Sequence, residues 1–77
     1  MLIRVVKNYD DYESIEVAFL EVPGRQKKSK LAELLEEYWD EFMEGDPGND
    51  SAFEDFVITK QPTWRAVAYP VTTIEID

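Results

Sequence analysis

One segment of the chain has a strong helical period of hydrophobic and polar positions. Across residues 30–44, apolar side chains fill one half of a helical wheel and carboxylates fill the other half. The apolar positions are Leu31, Leu34, Leu35, Tyr38, Trp39, Phe42 and Met43. The pattern predicts a helix with Ser29 as its N-cap, Gly45 at the C′ position and Pro47 beyond its end.

The apolar half of this helix is wider than packing on a sheet requires. We expect Leu31, Leu35 and Phe42, near the middle of the apolar half, to be buried. The arc spans about 180°, whereas a stripe of about 100° is enough for packing. Either the whole arc belongs to the core, or one rim, such as that of Trp39 and Met43, is left exposed as an interface.

Patterns with a period of two predict a hairpin before the helix. Residues 2–7 are rich in β-branched side chains and precede a turn at residues 8–11. A second strand follows and ends at residues 23–24, where proline and glycine interrupt it. In this strand Ile15, Val17 and Phe19 alternate with Glu16, Ala18 and Leu20, as in a half-buried strand.

A short helix and two strands are predicted after the long helix. Asp50 or Ser51 is placed to cap a helix that ends at Gln61, because the residue before proline disfavours helical geometry. Its buried side would comprise Ala52, Phe53, Phe56 and Val57. Residues 64–69 and 72–76 predict strands, separated by a proline that makes a corner or a bulge.

The order ββααββ predicts an α+β fold in which one small antiparallel sheet carries both helices on one face. The chain has 77 residues, so we expect a single acidic domain over residues 1–77. The N-terminal residues have no apolar run like that of a signal peptide, and no segment is long enough to span a membrane. Together with the absence of cysteine, this favours a cytoplasmic protein.

The distribution of charge along the chain says more about function than the net charge does. The net charge is −9, yet residues 31–59 alone carry ten acids and no base. Residues 24–30 carry four bases immediately before them. A chain with this asymmetry repels nucleic acid and anionic membranes and favours a basic protein partner. The basic segment 25–30 is predicted to be an exposed connection, with a phosphate-contacting role as the alternative.

The side-chain inventory argues against catalysis. The chain has no histidine and no cysteine, so the usual nucleophile–base pairs and zinc ligands are missing. The acidic loop from Asp46 differs from a calcium loop, since Gly48, Ser51 and Val57 stand where that motif needs an acid or amide, a glycine and a glutamate. We therefore expect no enzymatic activity, no cofactor and no metal.

The candidate partner-binding residues are the carboxylates of the long helix and those that follow it. They are Glu33, Glu36, Glu37, Asp40, Glu41, Glu44, Asp46, Asp50, Glu54 and Asp55. Like charges four residues apart cost about 0.2–0.5 kcal/mol per pair, and anions near a helix C-terminus oppose its dipole. A stability-optimised helix would avoid this arrangement, which is explained either by solubility alone or by a role in binding a basic partner.

Two functions remain open. The first is a non-enzymatic binding module or inhibitor that docks on a basic protein surface, in its sharper form by imitating a nucleic-acid backbone. The alternative is a self-associating structural protein whose acids only provide solubility, with contacts through the helix rim or the strand at residues 72–76. The first predicts a monomer or a weak homodimer, and the second a tight dimer.

Overall fold

The computed structural model describes residues 1–10, 13–48, 50–69 and 71–77. Its elements are β1 (Leu2–Asp10), β2 (Glu13–Glu21), α1 (Lys28–Glu44), α2 (Phe53–Lys60), β3 (Arg65–Ala66) and β4 (Thr72–Ile76). The predicted α+β class and the order ββααββ are confirmed. The first strand runs through the residues expected to turn, up to Asp10, and the third is shorter than predicted. The expected turn includes Asp11 and the expected corner includes Pro70, and both of these residues lie outside the described residues.

The four strands form one mixed sheet in the order β3-β2-β1-β4. β1 pairs antiparallel with β2, and β2 pairs antiparallel with β3. β4 pairs parallel with β1, so the prediction of a wholly antiparallel sheet is wrong at this strand. The reason is topological. β3 and β4 run in the same direction on opposite edges of the sheet, and the chain passes from one edge to the other between them.

One face of the sheet packs against both helices in a single apolar core. The sheet contributes Ile3, Val5, Ala18, Leu20, Ile74 and Ile76, and the helices contribute Leu31, Leu35, Phe53 and Val57. In β2 the buried positions are therefore the even-numbered ones, whereas Ile15 is 47% exposed. The alternation suggested by Ile15, Val17 and Phe19 is misleading because the pairing of β1 with β2 has a register shift between Val5 and Val6.

Helix α1 begins and ends differently from the prediction. The amides of Lys30 and Leu31 both donate to the carbonyl of Lys27, each at 3.1 Å. The N-cap is therefore Lys27, which makes no side-chain cap hydrogen bond, and not Ser29. At the other end Gly45 has an ordinary φ of −73°, and Asp46 takes the left-handed conformation with a φ of 51°. The expected glycine C′ is therefore an aspartate.

Helix α2 confirms the predicted end but not the predicted cap. Its N-cap is Ala52, without a side-chain hydrogen bond, so neither Asp50 nor Ser51 occupies that position. Ala52 is exposed, contrary to expectation, because the helix begins after it. Gln61 ends the helix as predicted, and its amide donates to the carbonyl of Val57 at 2.8 Å.

An aromatic cluster joins the two helices. The ring centre of Phe42 lies 5.5 Å from that of Phe53 and 5.4 Å from that of Phe56. Trp39 lies 5.0 Å from Phe53, so α2 packs against one of the two residues of the rim that was a candidate interface. Phe42 is half-buried in this cluster and not fully buried as predicted, whereas Met43 is 50% exposed. The sheet itself is reached mainly by Leu31 and Leu35.

Candidate protein-interaction surface

The carboxylates of α1 fall on the side of the helix that faces away from the core. Leu31 and Leu35 are completely buried on one side of the helix. On the other side five carboxylates are exposed, and we call them the acidic face: Glu33, Glu37, Asp40, Glu41 and Glu44. The amphipathic period of the sequence produces this arrangement directly, because the helix is continuous from Lys28 to Glu44.

Two of the predicted binding residues instead connect elements of the fold. Glu54 Oε2 accepts a hydrogen bond from the backbone N–H of Phe19 at 2.8 Å. Glu36 Oε1 accepts one from the backbone N–H of Asp77 at 3.2 Å. Both glutamates are half-buried. Their carboxylates are therefore occupied in holding the helices to the sheet, and we do not count them in the acidic face.

Two carboxylates of the acidic face have basic neighbours. Glu41 forms an ion pair with Lys60 from the end of α2, and Glu33 lies 3.9 Å from Lys30. Exposed pairs of this kind contribute only about 0–1 kcal/mol. None of the ion pairs within the described part of the chain involves Glu37, Asp40 or Glu44. Those three carboxylates are thus the ones that remain available.

The acidic surface continues past the end of α1. Asp46 and Asp50 lie in the connection to α2, and Asp55 lies in the first turn of α2. All three residues are exposed. The carboxylates predicted to bind a partner therefore remain on the surface from the second turn of α1 to the start of α2, apart from the two that bind the backbone.

The electrostatics of α1 are unfavourable at both of its ends and between several of its carboxylates. Its first turn has no acid and its last turn has no base, the reverse of what the helix dipole favours. The pairs Glu33–Glu37 and Glu37–Glu41 place like charges four residues apart on an exposed surface. Each such pair costs about 0.2–0.5 kcal/mol. The helix is held by its packing on the sheet and on α2, since its charges oppose it.

The basic segment reaches only the start of the acidic face, where Lys30 lies near Glu33. Arg25, Lys27, Lys28 and Lys30 are all exposed around the start of α1. A helix of 17 residues is about 25 Å long, and charges separated by more than about 8–10 Å are largely screened at physiological salt. Within one molecule the basic start of α1 is therefore electrostatically separate from Glu41 and Glu44 at its other end.

Sequence reasoning missed Lys60 as a partner for the acidic face. It lies 19 residues from Glu41 and approaches it only because α2 packs beside α1. No local spacing of charges signals this contact. The tertiary arrangement of the helices, and not the pattern along either one, decides which carboxylates have a basic neighbour.

Comparison with known proteins gives no relative from which a function could be transferred. The chain matches no family model, and neither the curated proteins nor the solved structures give a significant match. Among the described residues, no helix is long and apolar enough to cross a membrane. The candidate function therefore rests on the geometry and charge of the molecule.

Proposed function

We propose that the protein is a non-enzymatic binding module that presents the acidic face of α1 to a basic surface of a partner protein. The observation that carries this proposal is the exposure of Glu37, Asp40 and Glu44 without ion pairs among the described residues. Their repulsion costs stability in the free protein. A basic partner would turn the same charges into favourable contacts.

The spacing of these charges supports imitation of a nucleic-acid backbone. The five exposed carboxylates extend from Glu33 to Glu44, a rise of about 16 Å along the helix, or about 4 Å per charge. One strand of DNA carries a charge for about every 3.4 Å of its axis. A groove that binds phosphates with lysine and arginine would therefore meet charges of the same sign at a similar spacing.

The proposed mechanism is steering followed by occlusion. The field of an acidic protein accelerates encounter with a basic surface, and the rate falls as salt increases. The helix is anchored by Leu31 and Leu35, so the carboxylates are held in place before binding. Once docked, α1 would exclude nucleic acid from the site that it occupies. The protein itself would not bind nucleic acid, since its net charge is −9.

A second candidate function is structural self-association, with acids that only provide solubility. It accounts for the exposed carboxylates without a partner, because like charges reduce aggregation. It does not account for their concentration on one helix, since dispersed acids would provide the same solubility at a smaller cost. We therefore favour the binding module.

The test is capture of partners from nuclease-treated host lysate by the immobilised protein. The acidic-face variant combines Glu37→Gln, Asp40→Asn and Glu44→Gln. Its matched control neutralises three carboxylates outside the α helices and the loop between them, with Glu13→Gln, Glu21→Gln and Asp77→Asn. Both variants have a net charge of −6, because three acids are removed from a chain of net charge −9.

We expect wild type and the control to capture the same proteins, and the acidic-face variant to lose them. Duplex DNA or RNA added to the column should elute the captured proteins if the acidic face occupies a phosphate-binding site. Equal capture by all three proteins would refute the acidic face as the binding surface. Retention of the captured proteins in the presence of excess nucleic acid would refute the imitation of its backbone.

A further inference from the structure

The two edges of the sheet differ in how they are protected. The outer edge of β2 pairs with β3 through Leu20 and Glu21. Beyond that pairing, the carbonyl of Phe19 accepts the N–H of Val67 at 3.1 Å, and the N–H of Phe19 donates to Glu54. Much of the C-terminal half of this edge therefore already has partners within the chain. Such coverage is how native proteins avoid edge-to-edge pairing.

The outer edge of β4 has no comparable protection. No described strand pairs with that side of β4. The strand Thr72–Ile76 contains no proline and no lysine, and its pairing with β1 has no register shift. Four of its five residues are threonine or isoleucine, the types that favour strands. This edge has the features of a strand that accepts another strand.

The pairing with β1 determines which backbone groups of β4 point outward. Met1 exchanges backbone hydrogen bonds with Val22 beside β2, and by alternation the even-numbered residues of β1 turn toward β4. Arg4 lies opposite Thr73 in this parallel register. In a parallel pairing, Arg4 bonds to the backbone of Thr72 and Ile74, the two neighbours of Thr73. The N–H and C=O of Thr73 and of Glu75 are thus directed to the outer edge.

A groove beside this edge leaves space for an added strand. It lies between the start of α1 and β4 and has a volume of about 420 Å³. Its lining residues are Lys28, Ser29, Ala32, Thr73, Ile74 and Glu75. The helix therefore does not close over the edge strand. Side chains of an added strand that point toward the helices would enter this groove.

We propose that a second copy of this chain pairs its own β4 antiparallel with this edge, with the two-fold axis at Ile74. The register then places Thr73 of each copy opposite Glu75 of the other and forms about four backbone hydrogen bonds. A register centred on Glu75 would place two glutamates directly opposite each other, which is destabilising. Of these two registers, only the one centred on Ile74 is self-complementary.

The charges of α1 complement each other in the same arrangement. α1 and β4 run in the same direction, because Lys28 lies beside Thr73–Glu75 and Glu36 reaches the amide of Asp77. A two-fold axis at Ile74 sets the two α1 helices antiparallel. The lysines that begin one helix then lie toward the glutamates in the following turns of the other. This favours a second copy as the occupant, despite the net charge of −9 on each copy.

The contact is small, so the dimer should be weak and should form more readily at high salt, where repulsion between the copies is screened. Sedimentation equilibrium in 0.5 M salt, up to about 1 mM protein, measures it. Thr73→Lys should tighten the dimer about two- to thirtyfold, because each lysine would face Glu75 of the other copy. Thr73→Glu should weaken it by a similar factor, because it places glutamates opposite each other.

These variants separate dimerisation from stability of the fold. The guanidinium of Arg4 lies beside Thr73 Oγ1, at 2.9 Å from its Nη2 atom. In the monomer, glutamate at position 73 would therefore be favoured over lysine, the opposite order from the dimer. The combination of Thr73→Glu with Glu75→Lys should restore dimerisation, because it exchanges the two sides of the same pair.

Three results would overturn the proposal. They are a protein that stays monomeric up to about 1 mM, equal dimerisation of the two Thr73 variants, or no rescue by the charge exchange. None of them bears on the proposed function, because the acidic-face variant leaves Thr73 and Glu75 unchanged. Conversely, if the acidic-face variant still captures partners, the edge pairing stands unaffected.

Discussion

Glu54 in the first turn of α2 accepts a hydrogen bond from the backbone N–H of Phe19 in β2, at 2.8 Å. The carboxylate supplies the acceptor that a further strand residue would otherwise provide at this edge. One side chain thus links a helix to the sheet and satisfies a backbone donor. An acid that belongs to the acidic segment of the sequence is here a structural residue.

Replacing Glu54 tests this link. We expect Glu54→Ala to lower the free energy of unfolding by about 1–3 kcal/mol, because the part-buried N–H of Phe19 loses its charged acceptor. Glu54→Gln keeps a neutral acceptor and should cost less. Asp55→Ala is the control, since it removes a neighbouring acid from the same first turn. Urea denaturation measures all three, and equal losses for Glu54→Ala and Asp55→Ala would contradict the link.

The core is expected to depend more on Leu35 than on Phe42. Leu35 is completely buried and packs in the core, so Leu35→Ala should cost about 2–5 kcal/mol. Phe42 is half-buried between the helices, and Phe42→Ala should cost about half as much. Thermal unfolding followed by circular dichroism ranks the two. A larger loss for Phe42→Ala would mean that the aromatic cluster, and not the sheet contact, holds α1.

The start of α1 lacks a side-chain cap, and supplying one should stabilise the protein. Lys27→Asp places an acceptor and a negative charge at the N-cap, which should add about 0.5–2 kcal/mol to the free energy of unfolding. Ser29→Ala should change stability little, because Ser29 lies inside the first turn. Chemical denaturation of both variants decides the position of the cap. A large loss for Ser29→Ala with no gain for Lys27→Asp would place it at Ser29.

Salt should stabilise the free protein by screening the acidic face. Like-charge pairs along α1 cost about 0.2–0.5 kcal/mol each, and for a domain of this size 1 kcal/mol shifts Tm by about 4–8 °C. Tm should therefore rise by several degrees between low salt and 0.5 M salt, where the Debye length falls below about 10 Å.

Glu37→Gln should reduce this response to salt, because Glu37 has like charges four residues away on both sides. Glu13→Gln is the control on an exposed residue of β2 and should leave the response unchanged. A Tm that is flat or falls as salt is added would show that the fold already neutralises the acidic face.

The periodic patterns predicted the helices and β4 well, because one side of each is much more apolar than the other. Ile74 and Ile76 are buried as their alternation indicated. In β2 the method failed, because residues on both faces are apolar from Val17 to Leu20 and alternation cannot choose between them. The register shift after Val5 adds to the difficulty, because it changes which residues of β2 lie on the core face and no pattern in the sequence marks it.

Other features were beyond the reach of sequence patterns because they depend on tertiary position. The parallel pairing of β4 follows from the path of the chain between the sheet edges. The hydrogen bonds of Glu36 and Glu54 join residues 41 and 35 positions apart. Exposed carboxylates look alike in sequence whether they bind the backbone, a lysine or solvent. The acidic face was therefore predicted as a region but not residue by residue.

The pairing of β1 with β4 also bears on how the chain folds. β1 is a central strand, yet one of its two neighbours comes from residues 72–76. The hairpin with β2 can form early, since its strands are adjacent in sequence. The other side of β1 stays unpaired until residues 72–76 have been synthesised. Closing so long a loop is slow, so β1 precedes the other three strands in the chain but is among the last to gain both of its neighbours.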